Sequence, residues 1–206
     1  MTRRRFEIAL LSSLLAVAAQ AQDRLPTIPP AQYTVEQNQA AADFQSARKL
    51  PVFGPFEPLM YSPQLLSRAR AMGDYLRYES ALGHALTELA ILITAREWTQ
   101  DYEWAVHYPI ALKAGIAREC ANDIAAGRRP TTLSPDEKTV FDFVHELLKN
   151  RQVSDATFQR AQFRFGSKGV VDMTGIVGYY SLLAMQLNVA KYPPVTGGQK
   201  LSGGHP

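Results

Sequence analysis

The chain contains almost no cysteine: among its 206 residues there is one, Cys120. A single thiol cannot form an intrachain disulfide, and one chain cannot supply the two exchanging thiols of a dithiol redox centre. For Cys120 itself, the interpretation as a small buried helix residue is favoured over that of a reactive thiol.

The sequence also has few strand patterns and none of the common nucleotide-site signatures. No phosphate-binding glycine loop, dinucleotide fingerprint or serine nucleophile elbow occurs. Lys and Arg residues outside the N-terminus are scattered and are not interleaved with aromatic residues, so nucleic acid is not an expected partner.

The first 21 residues resemble a cleavable secretory signal and are set apart from the fold. Three arginines at positions 3–5 precede a short apolar run over 8–19, and Ala19-Gln20-Ala21 forms a small-x-small cleavage site. The sequence therefore predicts an exported, periplasmic or secreted protein. The general secretory and the twin-arginine routes both remain open, because "TRRRFE" resembles a twin-arginine motif that Glu7 fits poorly.

Helical patterns fill the remainder, so we predict an all-α fold and one main domain. The predicted helices are 34–48, 62–78, 85–95, 100–114, 118–126, 134–149, 154–165 and 170–189. We assign 22–51 to an N-terminal helix and linker, 52–194 to the domain, and 195–206 to a flexible tail of linker composition.

Two stretches raise specific expectations. "KLPVFGPFEP" holds three prolines and a glycine, which predicts an extended loop without helix. Residues 173–190 carry no charge, but their glycines and polar residues favour a helix buried in the domain or in a subunit contact over a membrane span. Stable membrane insertion is not expected.

Glu88 is the only carboxylate between Ala81 and Ala95, within an apolar helical run. Burying an unpaired charge costs several kcal/mol, so such a group is paired, protonated or facing a cavity. His84 and Arg96 are candidate partners on nearby helix faces. Glu88 is either a structural ion-pair member or part of a site.

Glu103 and His107 are four residues apart and therefore adjacent on one helix. A carboxylate beside an imidazole fixes its tautomer and suits a general acid or base near neutral pH. An ordinary helix ion pair explains the spacing equally well. A metal site with Glu88 as third ligand is a weaker alternative, because a second imidazole is missing.

Together these residues resemble a known family. "GPFEPLMYSPQLLSRARAMGDYLRYESALGHALTELAILITAREWTQDYEWAVHYPIALKAGI" is similar to the carboxymuconolactone decarboxylase family, which is related to the alkylhydroperoxidase D fold, and "GYYSLLAMQLNVAKYP" resembles its last long helix. The resemblance covers about residues 52–194. It implies an alkylhydroperoxidase D-like helical bundle that assembles as a homo-oligomer, a trimer or a hexamer.

The resemblance separates two branches of this family. In the alkylhydroperoxidase branch it implies a relay of a Glu, a Cys-x-x-Cys pair and a His, at positions held here by Glu88, Gln100, Glu103 and His107. Both sulfurs are absent, so thiol peroxidase chemistry is disfavoured. The decarboxylase branch lacks these cysteines too and removes carbon dioxide from a carboxylated unsaturated lactone without a cofactor or a metal.

The decarboxylase branch implies roles for particular residues. His107 is the candidate acid, with Glu103 orienting it and Glu88 relaying a proton or polarising a bound water. Arg77 and Arg96 are candidate ligands of a substrate carboxylate. Aromatic residues of the turn between the two helices, Trp98 and Tyr102, are candidate walls of a small-molecule pocket. The remaining alternative is a non-catalytic exported binding or assembly protein in which these residues satisfy one another.

Overall fold

The computed structural model describes residues 24–201, and the predicted signal segment lies outside them. Seven α-helices are present in this part of the chain, without any strand, which confirms the all-α class. They are α1 (Val35–Arg48), α2 (Pro63–Tyr78), α3 (His84–Glu97), α4 (Asp101–Ala114), α5 (Arg118–Ala125), α6 (Pro135–Asn150) and α7 (Asp155–Ala190).

Local sequence signals set most helix ends. Thr34 and Ser134 each form a full capping box with the residue three positions later, because each side chain bonds the other's backbone N–H. Gly115 ends α4 at a φ of 108°, a left-handed conformation that favours glycine. Helix α2, predicted from residue 62, begins directly after Ser62, whose side chain makes no capping hydrogen bond.

The segment between α1 and α2 differs from the extended loop that its prolines predict. It forms two short 3₁₀ turns, Gly54–Phe56 and Pro58–Tyr61, because proline is accepted at the start of a helical turn where its missing N–H is not needed. Phe44 of α1 packs edge-on against Phe56 with ring centroids 5.0 Å apart. The N-terminal helix is therefore joined to the core through this aromatic contact.

Helix α7 changes direction at Gly166, whose φ of 66° and ψ of 177° are not helical. The predicted break at this glycine is therefore present, but helix resumes directly after it. Among residues 24–201, α7 is the one helix long and apolar enough to cross a membrane, and half of its most apolar window is buried inside the fold. A core helix passes the same test of length and composition.

Helix α3 occupies the centre of the molecule, between α4, α6 and α7. Nine consecutive residues over 87–95 are buried, which explains why the run is apolar on every side. Of the flexible tail predicted for 195–206, residues 195–201 are described, and Leu201 among them is buried and donates its N–H to the Asp101 carboxylate at 3.0 Å. The position of α3 brings Glu88 against both neighbouring helices.

Candidate functional site

Three successive helices each place one ionisable side chain at the same buried point. Arg77 comes from the last turn of α2, Glu88 from the middle of α3 and His107 from the middle of α4. Glu88 is fully buried and His107 is 3% exposed. The cluster therefore lies in the interior, where charged groups interact strongly because water does not screen them.

Glu88 bonds to both of its neighbours. Its Oε2 lies 2.6 Å from Nδ1 of His107, and its Oε1 lies 3.4 Å from Nη2 of Arg77. These are different partners from those expected on its own helix, since neither His84 nor Arg96 makes the contact. Side chains from the packed helices α2 and α4 meet Glu88 directly.

Glu103 also reaches His107 but less closely. Its Oε2 lies 3.5 Å from Nε2 of His107, which is longer than an ordinary hydrogen bond, and its Oε1 is buried without a hydrogen-bond partner. The orienting bond to His107 therefore comes from Glu88, not from Glu103 as the helix spacing suggested. The two carboxylates flank the two nitrogens of one imidazole ring.

Burial raises the pKa of both glutamates, but their partners decide the net direction. For Glu88 the hydrogen bond and charge of His107, together with the charge of Arg77, outweigh burial and lower its pKa below the usual value. For Glu103 burial outweighs the attraction of His107 and Arg77, and the nearby Glu88 charge adds to it, so its pKa is raised. Glu88 is therefore the anion of the pair, and Glu103 is the carboxyl that holds its proton more tightly.

With Glu88 ionised, His107 donates its Nδ1 hydrogen to it, and Nε2 is then the free nitrogen on the side of Glu103. The ring of Tyr180 packs edge-on against His107 with centroids 5.1 Å apart and restricts its orientation. This geometry fixes both the tautomer and the plane of the imidazole.

Glu103 and His107 line a small cavity of about 50 Å³. This volume holds water but is smaller than the roughly 300–1,000 Å³ of typical ligand pockets. Its other walls come from α1, the first 3₁₀ turn, α2, α4 and α7: Arg48, Phe53, Pro55, Phe56, Arg77, Tyr102, Val106, Tyr179, Tyr180 and Leu183. A substrate larger than a few waters needs one of these walls to move.

The structure brings only some of the predicted binding residues to this cavity. Arg77 and Tyr102 line it. Arg96 lies instead in a second cavity between α3, α5 and α6. Trp98 is turned toward α7, where its Nε1 donates to Ser181 at 2.8 Å. Arg96 and Trp98 come after the middle of α3. Their side chains point away from the small cavity because they leave the chain on other faces than Glu88 does.

Among the cavity residues that were not sequence candidates, three carry polar groups: Arg48, Tyr179 and Tyr180. Arg48 ends α1, outside the segment assigned to the domain, and its guanidinium lies 4.6 Å from the centroid of Phe56. The two tyrosines belong to the segment that resembles the last long helix of the family. Adjacent aromatic residues in an uncharged helix give a signal for burial, but no signal for which cavity they face.

Within residues 24–201 no group of three or more His, Cys, Asp or Glu side chains could hold a metal ion. The alternative of a metal bound by Glu88, Glu103 and His107 is therefore not supported by the arrangement of the described residues. Gln100 caps α4 by accepting the N–H of Tyr102 at 2.7 Å and donates to Asn188 at 2.7 Å. The Gln100 side-chain amide therefore caps the N-terminus of α4.

The raised pKa of Glu103 predicts a characteristic pH dependence of stability. The folded protein binds this proton more tightly than the unfolded chain, so the stabilisation is complete below about pH 4.5 and is lost as pH rises through the folded pKa. Glu103→Gln cannot ionise, so its free energy of unfolding should increase relative to wild type between pH 5 and 8, by about 1.4 kcal/mol for each unit of pKa shift.

Urea unfolding of both proteins across this pH range measures the difference. Glu88→Gln is the matched control, because its lowered pKa predicts a difference from wild type that stays constant from pH 5 to 8 and is lost only below about pH 4.5. A Glu103→Gln difference that stays constant from pH 5 to 8 would contradict the protonated carboxyl.

Solved structures with a similar backbone show which fold this chain has. An uncharacterized peroxidase-related protein from Silicibacter sp. TM1040 is similar over 86% of this chain and 94% of that one, with a TM-score of 0.68 and 13% identity. A peroxidase-related protein from Ralstonia eutropha JMP134, described as an alkylhydroperoxidase AhpD core, is similar over 83% and 91%, with a TM-score of 0.59 and 15% identity. The fold is thus of the alkylhydroperoxidase D type.

A variant of the debrominase Bmp8, solved with 2,3,4-tribromopyrrole, shares the same fold: it is similar over 89% of this chain and 94% of its own, with a TM-score of 0.64 and 8% identity. No curated protein matches the chain. At such identities these structures show the fold alone.

A family model matches part of the sequence. Residues 63–146 match the model of the carboxymuconolactone decarboxylase family, so the resemblance to that family is confirmed. The matched segment runs from the start of α2 into α6 and holds Arg77, Glu88, Glu103 and His107. Arg48 and Tyr180, which complete the cavity, lie outside it.

Proposed function

We propose that this protein is a cofactor-independent decarboxylase that acts on a small carboxylated lactone or a related unsaturated acid. The observation that carries the proposal is the pairing of two buried carboxylates, one with a lowered and one with a raised pKa, on the two nitrogens of His107. Titratable groups pushed apart in this way are typical of acid and base roles within one site.

The reaction places two demands on the protein. The carbon–carbon bond to the carboxylate breaks, its electron pair delocalises toward the lactone carbonyl, and a proton is then added to carbon. A dry cavity favours loss of neutral carbon dioxide from a charged carboxylate. A positioned acid supplies the proton.

The contacts divide these roles differently from the sequence-based hypothesis. Glu88 is a positioning residue, because its bond to Nδ1 sets the tautomer and its charge stabilises a protonated ring. His107 is the acid that faces the cavity once Nε2, the free nitrogen of the resting tautomer, has taken up a proton, which it then gives to the substrate carbon. Glu103, whose raised pKa makes it hold its proton more tightly and which has one unpartnered oxygen, is placed to supply a proton to that nitrogen in each turnover.

Arg77 is the favoured ligand for the substrate carboxylate. It lines the cavity, its bond to Glu88 is long at 3.4 Å, and its Nε is buried without a hydrogen-bond partner. Entry of a lactone requires Tyr102 and the facing turn at Gly54 to separate, because these two residues are packed against each other at the cavity wall.

Thiol peroxidase activity is the competing function that the fold class suggests. The environment of Cys120 disfavours it. The thiol is 1% exposed on α5, and burial, followed by the charges of Glu137 and Asp123, raises its pKa to about 12. A thiolate is the reactive form, so this thiol is unreactive near neutral pH. It also has no second cysteine to pair with.

Release of carbon dioxide from carboxymuconolactone by the purified protein tests the proposal. His107→Ala should reduce the rate by on the order of 10²-fold or more, the usual effect of a general acid. His84→Ala is the matched control, because His84 is an exposed histidine at the start of the helix that bears Glu88.

Equal rates for wild type and His107→Ala would remove the imidazole from the reaction. Absence of carbon dioxide release from carboxymuconolactone and from a panel of related unsaturated acids would favour the non-catalytic alternative. Peroxide turnover that Cys120→Ser abolishes would instead favour the redox reading.

A further inference from the structure

A second cavity, larger than the one that His107 lines, shares none of the lining residues of that cavity. It has a volume of about 530 Å³, which falls within the range of small-molecule pockets. Helices α3, α5 and α6 and the segment after α5 form its walls. None of the three residues that define the proposed reaction lines it, so its role is separate from that chemistry.

The base of the cavity is apolar. Ile93 of α3, Ile124 of α5 and Phe141 of α6 line it, and each is at most 5% exposed. His145 stacks on Phe141 with ring centroids 5.6 Å apart and planes at 14°, so a flat surface borders the space. Such walls favour an apolar or planar ligand body.

The polar lining is rich in positive charge. Four basic side chains line the cavity, against one lining carboxylate, Glu97: Arg96, Arg128, Arg129 and Lys149. Three of the four are neutralised locally, since Arg128 pairs with Asp123, Arg129 with Asp142 and Lys149 with Glu97, at 2.5–2.7 Å. One positive charge is left over.

The remaining charge belongs to Arg96. It has no ion-pair partner among residues 24–201, and its Nε is buried without a hydrogen-bond partner. Gly127 packs against the guanidinium so closely that a Cβ there would lie 3.2 Å from Nη2, and its φ of 70° also favours glycine. The backbone at Gly127 therefore packs against the guanidinium at the cavity, and no carboxylate among the described residues pairs with it.

We propose that this cavity binds a small organic anion with a planar apolar body, with the carboxylate on Arg96 and the body against Phe141. A guanidinium binds a carboxylate through two parallel hydrogen bonds, which gives both charge compensation and orientation. The location of Arg96 at the C-terminal end of α3 accounts for a favourable dipole interaction. It does not account for the adjoining apolar cavity.

Calorimetric titration of the purified protein with benzoate, and with benzamide as its neutral counterpart, tests this site. Wild type should bind benzoate and not benzamide. Arg96→Gln should weaken benzoate binding about tenfold or more, as expected for loss of a charge-assisted hydrogen bond. Arg96→Lys, which keeps the charge but not the planar fork, should bind with intermediate affinity.

Two matched variants locate the effect. Arg128→Gln removes a charge from the same cavity that is already paired, so its benzoate affinity should fall by less than that of Arg96→Gln. His107→Ala should bind benzoate like wild type, so the result is independent of the proposed decarboxylase.

The site is overturned if benzoate does not bind, if benzamide binds equally well, or if Arg96→Gln retains full affinity. It is also overturned if Arg77→Gln rather than Arg96→Gln abolishes binding, because benzoate then occupies the other cavity. Thermal unfolding followed by circular dichroism shows that each variant is folded before titration. An unfolded Arg96→Gln is replaced in the comparison by Arg96→Lys, whose unchanged affinity would also contradict the site.

Discussion

Replacement of Glu88 by glutamine is expected to lower kcat for decarboxylation by on the order of 10²- to 10⁴-fold, with KM little changed. The amide occupies nearly the same volume, but it has no charge with which to stabilise a protonated His107 and it no longer specifies the Nδ1–H tautomer. The 2.6 Å bond between Glu88 and His107 is the contact that carries this prediction. Steady-state kinetics with the substrate that the protein turns over measure it.

Glu88→Asp is the conservative control, because it keeps the charge and shortens the side chain by one methylene. It should recover part of the lost rate. Nitrogen NMR of His107 gives a readout that a purely structural role would not change: the Nδ1–H tautomer should dominate in wild type and lose that preference in Glu88→Gln. Equal kcat in wild type and Glu88→Gln would exclude Glu88 as a positioning residue.

Glu88→Ala is expected to destabilise the protein by about 3–5 kcal/mol near neutral pH, because it leaves Arg77 buried without its carboxylate. Glu88 is fully buried and the Arg77 side chain is 17% exposed, so water cannot replace the lost partner fully. The lowered pKa of Glu88 gives the direction with pH: its stabilisation is complete above about pH 4.5 and is lost as pH falls through the folded pKa. Urea unfolding measures both effects.

The double variant Arg77→Met with Glu88→Leu should recover part of the stability, since it removes the unpaired Arg77 charge, whereas Nδ1 of His107 still lacks the carboxylate that it bonds in wild type. Asp123→Ala is the surface control. It breaks a pair whose arginine side chain is 64% exposed, and should cost less than about 1 kcal/mol. Equal destabilisation by Glu88→Ala and Asp123→Ala would contradict the buried ion pair.

Local sequence determined the helices and most of their ends. The capping boxes at Thr34 and Ser134, the left-handed Gly115 and the break at Gly166 follow from backbone geometry that neighbouring residues specify. For the same reason Glu103 and His107 could be recognised as adjacent from their spacing, since about 3.6 residues make one helical turn. The family resemblance rested on this segment and is confirmed over residues 63–146.

The tertiary structure alone decided which charges meet. Arg77, Glu88 and His107 are on three different helices, and their contact depends on how α2, α3 and α4 pack, which helix periodicity does not encode. The same packing sends Arg96 to a separate cavity and brings Arg48 in from α1. The sequence thus determined that acid and base groups were present, whereas packing and burial decided which carboxylate has a lowered pKa and which has a raised one.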